Sequence, residues 1–384
     1  MKVPFQNILR RLKRETSSGN YLPEVDGLRF LAIAMVLFFH MYWYFVVRHV
    51  GTYADALSDY PWLSRVMVNG RQGVELFFVI SGFILALPFA GHYLKQKRNV
   101  ALKQYFLRRV TRLEPPYLLA LVILFLASIA VGKYTFAELF PSLLASVVYL
   151  HNIIFQQYPL VTVIAWSLEV EVQFYILAPL LATVFALPPW GRRLALLTGI
   201  LGMPLLQAAV SLPFVSLYNF LQFFLTGFLL ADVYLTERVQ LPNRGWSIVG
   251  GSLLLFSILW LDMHASLWQK SVYPLAIGSF FFLVFAVPFW RKLFSRQVLA
   301  VIGGMCYSIY LWHYALISLF GPLLLKKQIT AYFLTDFFLY TLLQLIPILV
   351  FSSLYFYLIE KPCMRRDWYK HLWFWKSQAY PVNK

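Results

Sequence analysis

Ten stretches of this chain are apolar over a length close to that needed to cross about 30 Å of hydrocarbon, and nothing else in the sequence limits the fold as strongly. They run over residues 27 to 47, 73 to 90, 115 to 131, 166 to 187, 194 to 210, 217 to 235, 246 to 262, 271 to 289, 298 to 320 and 335 to 359. A backbone in lipid must satisfy its own polar groups. The repetition therefore predicts an all-α polytopic membrane protein of about ten transmembrane helices. The 384 residues are 60% hydrophobic and only 13% charged, which argues against a soluble enzyme. A shorter apolar stretch, 140 to 155, is left over and is expected to form a re-entrant or interfacial helix on the outer side.

Charge sets the expected orientation. With ten spans and the N-terminus inside, the inner segments hold 26 of the 33 Lys and Arg, the bias typical of cytoplasmic loops. Both termini are then cytoplasmic and the expected location is the plasma membrane, the inner membrane of a bacterium. Residues 1–20 read as a basic interfacial segment, 21–362 as one membrane domain, and 363–384 as a basic aromatic tail. The formal charge of +17 is accounted for by orientation and by anionic membrane lipids, so no nucleic acid is expected as a partner. Cys306 and Cys363 give no disulfide framework. The histidines at 49, 92, 151, 264 and 371 lack metal-ligand spacing, so no metal is expected.

Ionisable groups inside spans are costly and default to the protein interior, where they mark function. Arg29 and His40 bracket "RFLAIAMVLFFH"; eleven residues at about 100° each return to within roughly 20° of one face. The rise between them is about 16 Å. The bland alternative is an arginine that snorkels and a histidine held by a carbonyl. However, "WSLEVEVQFY" (166–175) brings Glu169 and Glu171 to a similar depth from the other direction, together with Trp166, Ser167 and Tyr175. "YSIYLWHYAL" adds His313, and "GVELFFVISGF" adds Glu75 and Ser81. Glu169 and Glu171 are two residues apart and point to roughly opposite faces, so at most one meets His40 squarely. Ser81 sits beside a glycine, where close helix packing is the competing reading. His313 reads equally as part of an acceptor site or as a structural histidine.

On the inner side, "FLRRVTRLEPPY" places Arg108, Arg109 and Arg112 within one helical turn. Arginine forks match phosphate oxygens, so these three beside Arg29 make a phosphate clamp, with Asp26 orienting it; plain positive-inside anchoring is the alternative.

Taken in order, these stretches resemble the acyltransferase 3 family of polytopic membrane acyltransferases. "PEVDGLRFLAIAMVLFFH" is similar to the family's Arg, ten residues, His pattern, and "RRVTR" to its Arg-Arg-x-x-Arg motif. "GVELFFVISGF", "WSLEVEVQFYILAPLL", "YSIYLWH" and "EKP" (360–362) match further landmarks. Two positions depart. Glu169, Val170, Glu171, Val172 stand where the family pattern reads Ser, x, Glu, Glu, so the key carboxylate is carried onto Glu171; Glu75 stands where Asp is common. The resemblance implies that acyl-CoA, acetyl-CoA by default, serves as co-substrate with no permanently bound cofactor. It also implies a carbohydrate acceptor, a surface polysaccharide or lipid-linked sugar, although some members take antibiotics or other small molecules. On this reading His40 is the general base and Glu171 orients its imidazole, or His40 is itself transiently acylated. A transporter is the rival from another class. Oligomeric state leaves no mark on the sequence.

Overall fold

A computed structural model describes residues 2–15, 21–48, 59–237, 240–324, 329–330 and 332–365. His49, Lys326, Lys327, His371 and nearly all of the expected basic tail lie outside the described residues. Among those described there is no strand. The chain begins with α1 (Lys2–Arg11), followed by α2 (Pro23–Arg48), α3 (Pro61–Asn69), α4 (Gly73–Lys95) and α5 (Leu102–Ala130). Two short helices, α6 (Phe136–Val147) and α7 (His151–Phe155), precede α8 (Ala165–Leu181), α9 (Pro189–Ala209) and α10 (Leu221–Thr236). The remainder comprises α11 (Gly245–Trp260), α12 (Leu267–Ala286), α13 (Pro288–Phe294), α14 (Gln297–Gly304), α15 (Cys306–Leu324) and α16 (Phe333–Tyr355).

Each of the ten expected stretches holds a helix, but among the described residues only six helical segments are long and apolar enough to span on their own: Pro23–Arg48, Pro61–Lys95, Leu102–Ala130, Ala165–Ala186, Leu267–Ala286 and Phe333–Cys363. The pair α14 and α15 makes a seventh if counted as one broken span, bent by 67°. Helices α10 and α11, at 16 residues each, fall short of the roughly 20 that a bilayer core requires. Helix α9, at 21 residues, is long enough but carries Arg192 and Arg193 and is not apolar enough, so the expected count of about ten spans is not confirmed. The leftover stretch is not one helix. It is split between α6, started by a Thr135–Glu138 capping box, and α7, with Tyr149 in the left-handed region (φ 57) at the turn.

Helix outsides are greasy, as on Leu119, Val122, Ile123 and Leu126 of α5, which suits contact with lipid rather than water. Lipid gives no hydrophobic drive for helices to associate, so close backbone packing must do that work. It does so where α4 crosses α10: a Cβ on Gly82 would lie 2.3 Å from the Phe224 carbonyl oxygen, and one on Gly227 equally 2.3 Å from that of Val79. These two glycines let α4 stand against α10, and that contact fixes the wall on which Ser81 is carried.

Candidate active site

A cavity of about 1100 Å³ lies between α2, α4, α5, α8 and α15. On α4 its lining runs from Val74 to Pro88, fourteen residues apart, so it extends about 21 Å at 1.5 Å per residue. One end is cationic. Arg29, Arg108, Arg109 and Arg112 all line it, and so does Arg14. Asp26, 1% exposed, organises two of them: its Oδ1 accepts Arg14 Nη1 at 2.8 Å and Arg29 Nη1 at 2.6 Å. Arg109 is stacked 3.7 Å from the Tyr105 ring centroid and donates Nη1 to the Tyr105 carbonyl at 2.8 Å. The Nε atoms of Arg14, Arg109 and Arg112 are buried with no hydrogen-bond partner among the described residues. Burial, with Arg29 and Arg112 close by, pulls the Arg14 guanidinium down to about 10. A cationic cluster under such strain gains from an anion. Arg14 was hidden in the sequence because it belongs to a basic N-terminal run that reads as a membrane anchor.

The middle of the cavity is a polar ladder. Ser167, Glu171 and Tyr175 recur every four residues on α8 and all face it. From α4, Ser81 Oγ donates to Glu171 Oε1 at 2.6 Å. The expected pairing of Glu171 with His40 is therefore not the arrangement found. Glu169 does point the other way: its Oε2 accepts Asn152 N at 2.9 Å and Asn152 Nδ2 at 3.0 Å, pinning α7 against α8. Glu75 is buried on α4 away from the cavity, and Trp166 packs with Phe78 and Phe220.

His40 and His313 form a pair beyond the cavity. His40 Nδ1 lies 3.0 Å from the Val36 carbonyl and 3.2 Å from His313 Nε2. His313 Nδ1 lies 2.7 Å from the Tyr310 carbonyl, which can only accept, so that nitrogen carries the proton and Nε2 offers a lone pair. His40 must then donate from Nδ1, which leaves its own Nε2 as the basic atom. The tautomers follow from hydrogen-bond logic. Neither histidine lines the cavity. The shared stripe from Arg29 to His40 is interrupted because Gly73, at the start of α4, seats on it: a Cβ there would be 2.4 Å from the Ala32 carbonyl and 3.1 Å from Val36 Cγ2. Tyr310, which stands three residues before His313 in a motif already singled out, lies between the cavity and the His313 ring.

The family profile described as an acyltransferase domain matches residues 22–359. The chain is 25% identical to the peptidoglycan O-acetyltransferase OatA of Listeria monocytogenes, over 97% of this chain and 61% of that protein. It is 26% identical to a putative O-acetyltransferase of Staphylococcus aureus, over 94% and 60% respectively, and 24% identical to the O-acetyltransferase OatA of S. aureus, over 82% and 54%. The chain thus spans roughly three fifths of the length of the first of these relatives. No solved structure matches it. With the profile covering the helices that build the cavity and the histidine pair alike, the chain belongs to the acyltransferase 3 family.

Proposed function

We propose that this protein is an integral membrane O-acyltransferase that moves an acyl group, by default acetyl, from acyl-CoA to a hydroxyl of a carbohydrate. The observation that carries the reading is the long cavity whose cationic end holds three buried guanidinium N–H groups without partners among the described residues, and whose far wall touches His313 of a histidine pair. Phosphates of the donor sit among Arg14, Arg29, Arg108, Arg109 and Arg112, and the lysine and arginine bias makes this the cytoplasmic side, with both termini there. The pantetheine arm runs along the ladder. Its amides are about one helical turn apart, and Glu171 and Ser167 take their N–H groups. Glu171 is thereby a donor-positioning residue and not the partner of His40.

His40 accepts the acceptor's hydroxyl proton at Nε2 while Nδ1–H stays anchored on Val36 and His313. The alkoxide attacks the thioester carbonyl; collapse of the tetrahedral intermediate expels the CoA thiolate, which takes the proton back from the imidazolium. One ester forms, one thioester breaks, and His40 returns neutral. The peptidoglycan O-acetyltransferase among the relatives favours a cell-envelope glycan as acceptor.

The test is transfer from labelled acetyl-CoA to glycan fragments by detergent-purified protein. His40→Ala is expected to lower the rate about 10²- to 10⁴-fold while CoA binding persists. An unaltered protein that neither binds CoA nor consumes the donor overturns the reading.

A further inference from the structure

If acyl transfer occurs between the cavity and the histidine pair, something must move, because the two are separate in this structure. Tyr310 is the side chain placed to do it. Its ring lines the cavity, packs 6.3 Å from Phe77 on one side, and lies 5.6 Å from the His313 ring on the other. Its hydroxyl is held at the first turn of α8, 2.6 Å from Ser167 Oγ and 3.1 Å from the Ile164 carbonyl. Its main-chain carbonyl meanwhile receives His313 Nδ1 at 2.7 Å. The backbone half of the residue fixes the histidine tautomer and the side-chain half closes the cavity.

We propose that Tyr310 is a latched partition for the acyl-transfer reaction, a proposal that rests on the acyltransferase reading above. With the latch closed, the donor compartment and the acceptor side do not communicate, so water from the acceptor side does not reach the thioester. A donor seated on the arginines drives its thioester against the ring, the phenol leaves Ser167 and Ile164, and the acyl carbonyl meets His40. Because the swing uses only side-chain torsions, the Tyr310 carbonyl keeps its bond to His313 and the base stays in the productive tautomer throughout. Tyr310 is thus a positioning residue, acting through His313 and through the path it opens.

The latch bonds are the quantity to remove. Tyr310→Phe keeps the ring and deletes the hydroxyl; Ser167→Ala deletes one partner together with the donor contact assigned to Ser167 above, so donor KM is expected to rise in that variant alone. If the latch restrains opening, losing it makes the thioester reachable without an acceptor. Acceptor-free hydrolysis of acetyl-CoA to acetate and CoA is then expected to rise about fivefold relative to transfer in Tyr310→Phe, with donor KM unchanged, and to rise less in Ser167→Ala. CoA binding to the unaltered protein and to each variant is measured first by calorimetry in detergent. Absence of binding by the unaltered protein sinks the acyltransferase reading. Intact binding with hydrolysis and transfer both unchanged in Tyr310→Phe sinks the partition. A fall in transfer without any rise in hydrolysis also sinks it, since that outcome makes the phenol a proton donor rather than a latch.

Discussion

Replacing Asp26 by Asn tests the electrostatics of the donor end without changing shape. Asp26 is 1% exposed and accepts two guanidinium bonds at 2.8 and 2.6 Å. With charge centres about 4 Å apart and an effective dielectric near 20, each pair contributes about 4 kcal/mol, while the two arginines repel one another. Neutralising Asp26 therefore removes about 8 kcal/mol of attraction and leaves the repulsion standing. The cations recover part of this by turning toward cavity water, so the expected net destabilisation is about 3 to 5 kcal/mol, as for other buried pairs that lose one member. The assay is thermal unfolding of the purified protein with and without CoA. Asp26→Asn should melt several degrees lower, Asp26→Glu should lie between, and CoA should raise the variant's melting point more than the wild type's, because phosphates supply the missing negative charge. An Asp26→Asn protein with the same melting point and the same response to CoA refutes the claim that this carboxylate neutralises the arginine pair.

Three further outcomes are expected. His313→Asn loses the Nε2 acceptor for His40 and should lower kcat about tenfold with donor KM unchanged, measured as initial rates over donor concentration. Glu169→Ala strands two N–H groups of Asn152 and should destabilise the protein by about 3 kcal/mol while leaving CoA affinity intact, read from denaturation and calorimetry together. At the surface, the hydrogen bond from Arg365 holds the Glu15 carboxyl below its usual value of 4.5, so its contribution is complete above that pH and fades as pH falls through the lower folded value. Since both side chains are well exposed, the difference between wild type and Glu15→Gln should stay under about 1 kcal/mol at neutral pH and vanish in acid.

How much of this was legible beforehand differs by residue. Arg108, Arg109 and Arg112 announce themselves because one helical turn gathers them, and helical spacing likewise separates Glu169 from Glu171. The same periodicity misleads between Arg29 and His40. It specifies a common face on α2 but says nothing of what else occupies that face, and a glycine on α4 fills it. Arg14 was invisible for a related reason: its role is set by a contact with Asp26 twelve residues on, not by a local pattern. Glu171 also meets Ser81, ninety residues away, a pairing that no spacing rule encodes. Span counting reached its limit at α10 and α11, where apolar composition is clear but helical length is set by turns and neighbours.

The 67° break between α14 and α15 exposes a helix start inside the protein, and Glu360 caps it from the far end of the chain, accepting Ser308 N at 3.0 Å and Ser308 Oγ at 2.5 Å. A start of that kind, with its amides bare, is poorly tolerated away from water. During synthesis the bend carrying Tyr310 and His313 consequently cannot reach its final form until α16 and the Glu360 that follows it have left the ribosome. Assembly of the cavity wall that Tyr310 forms therefore waits for Glu360, and shortening the chain ahead of residue 360 removes that cap.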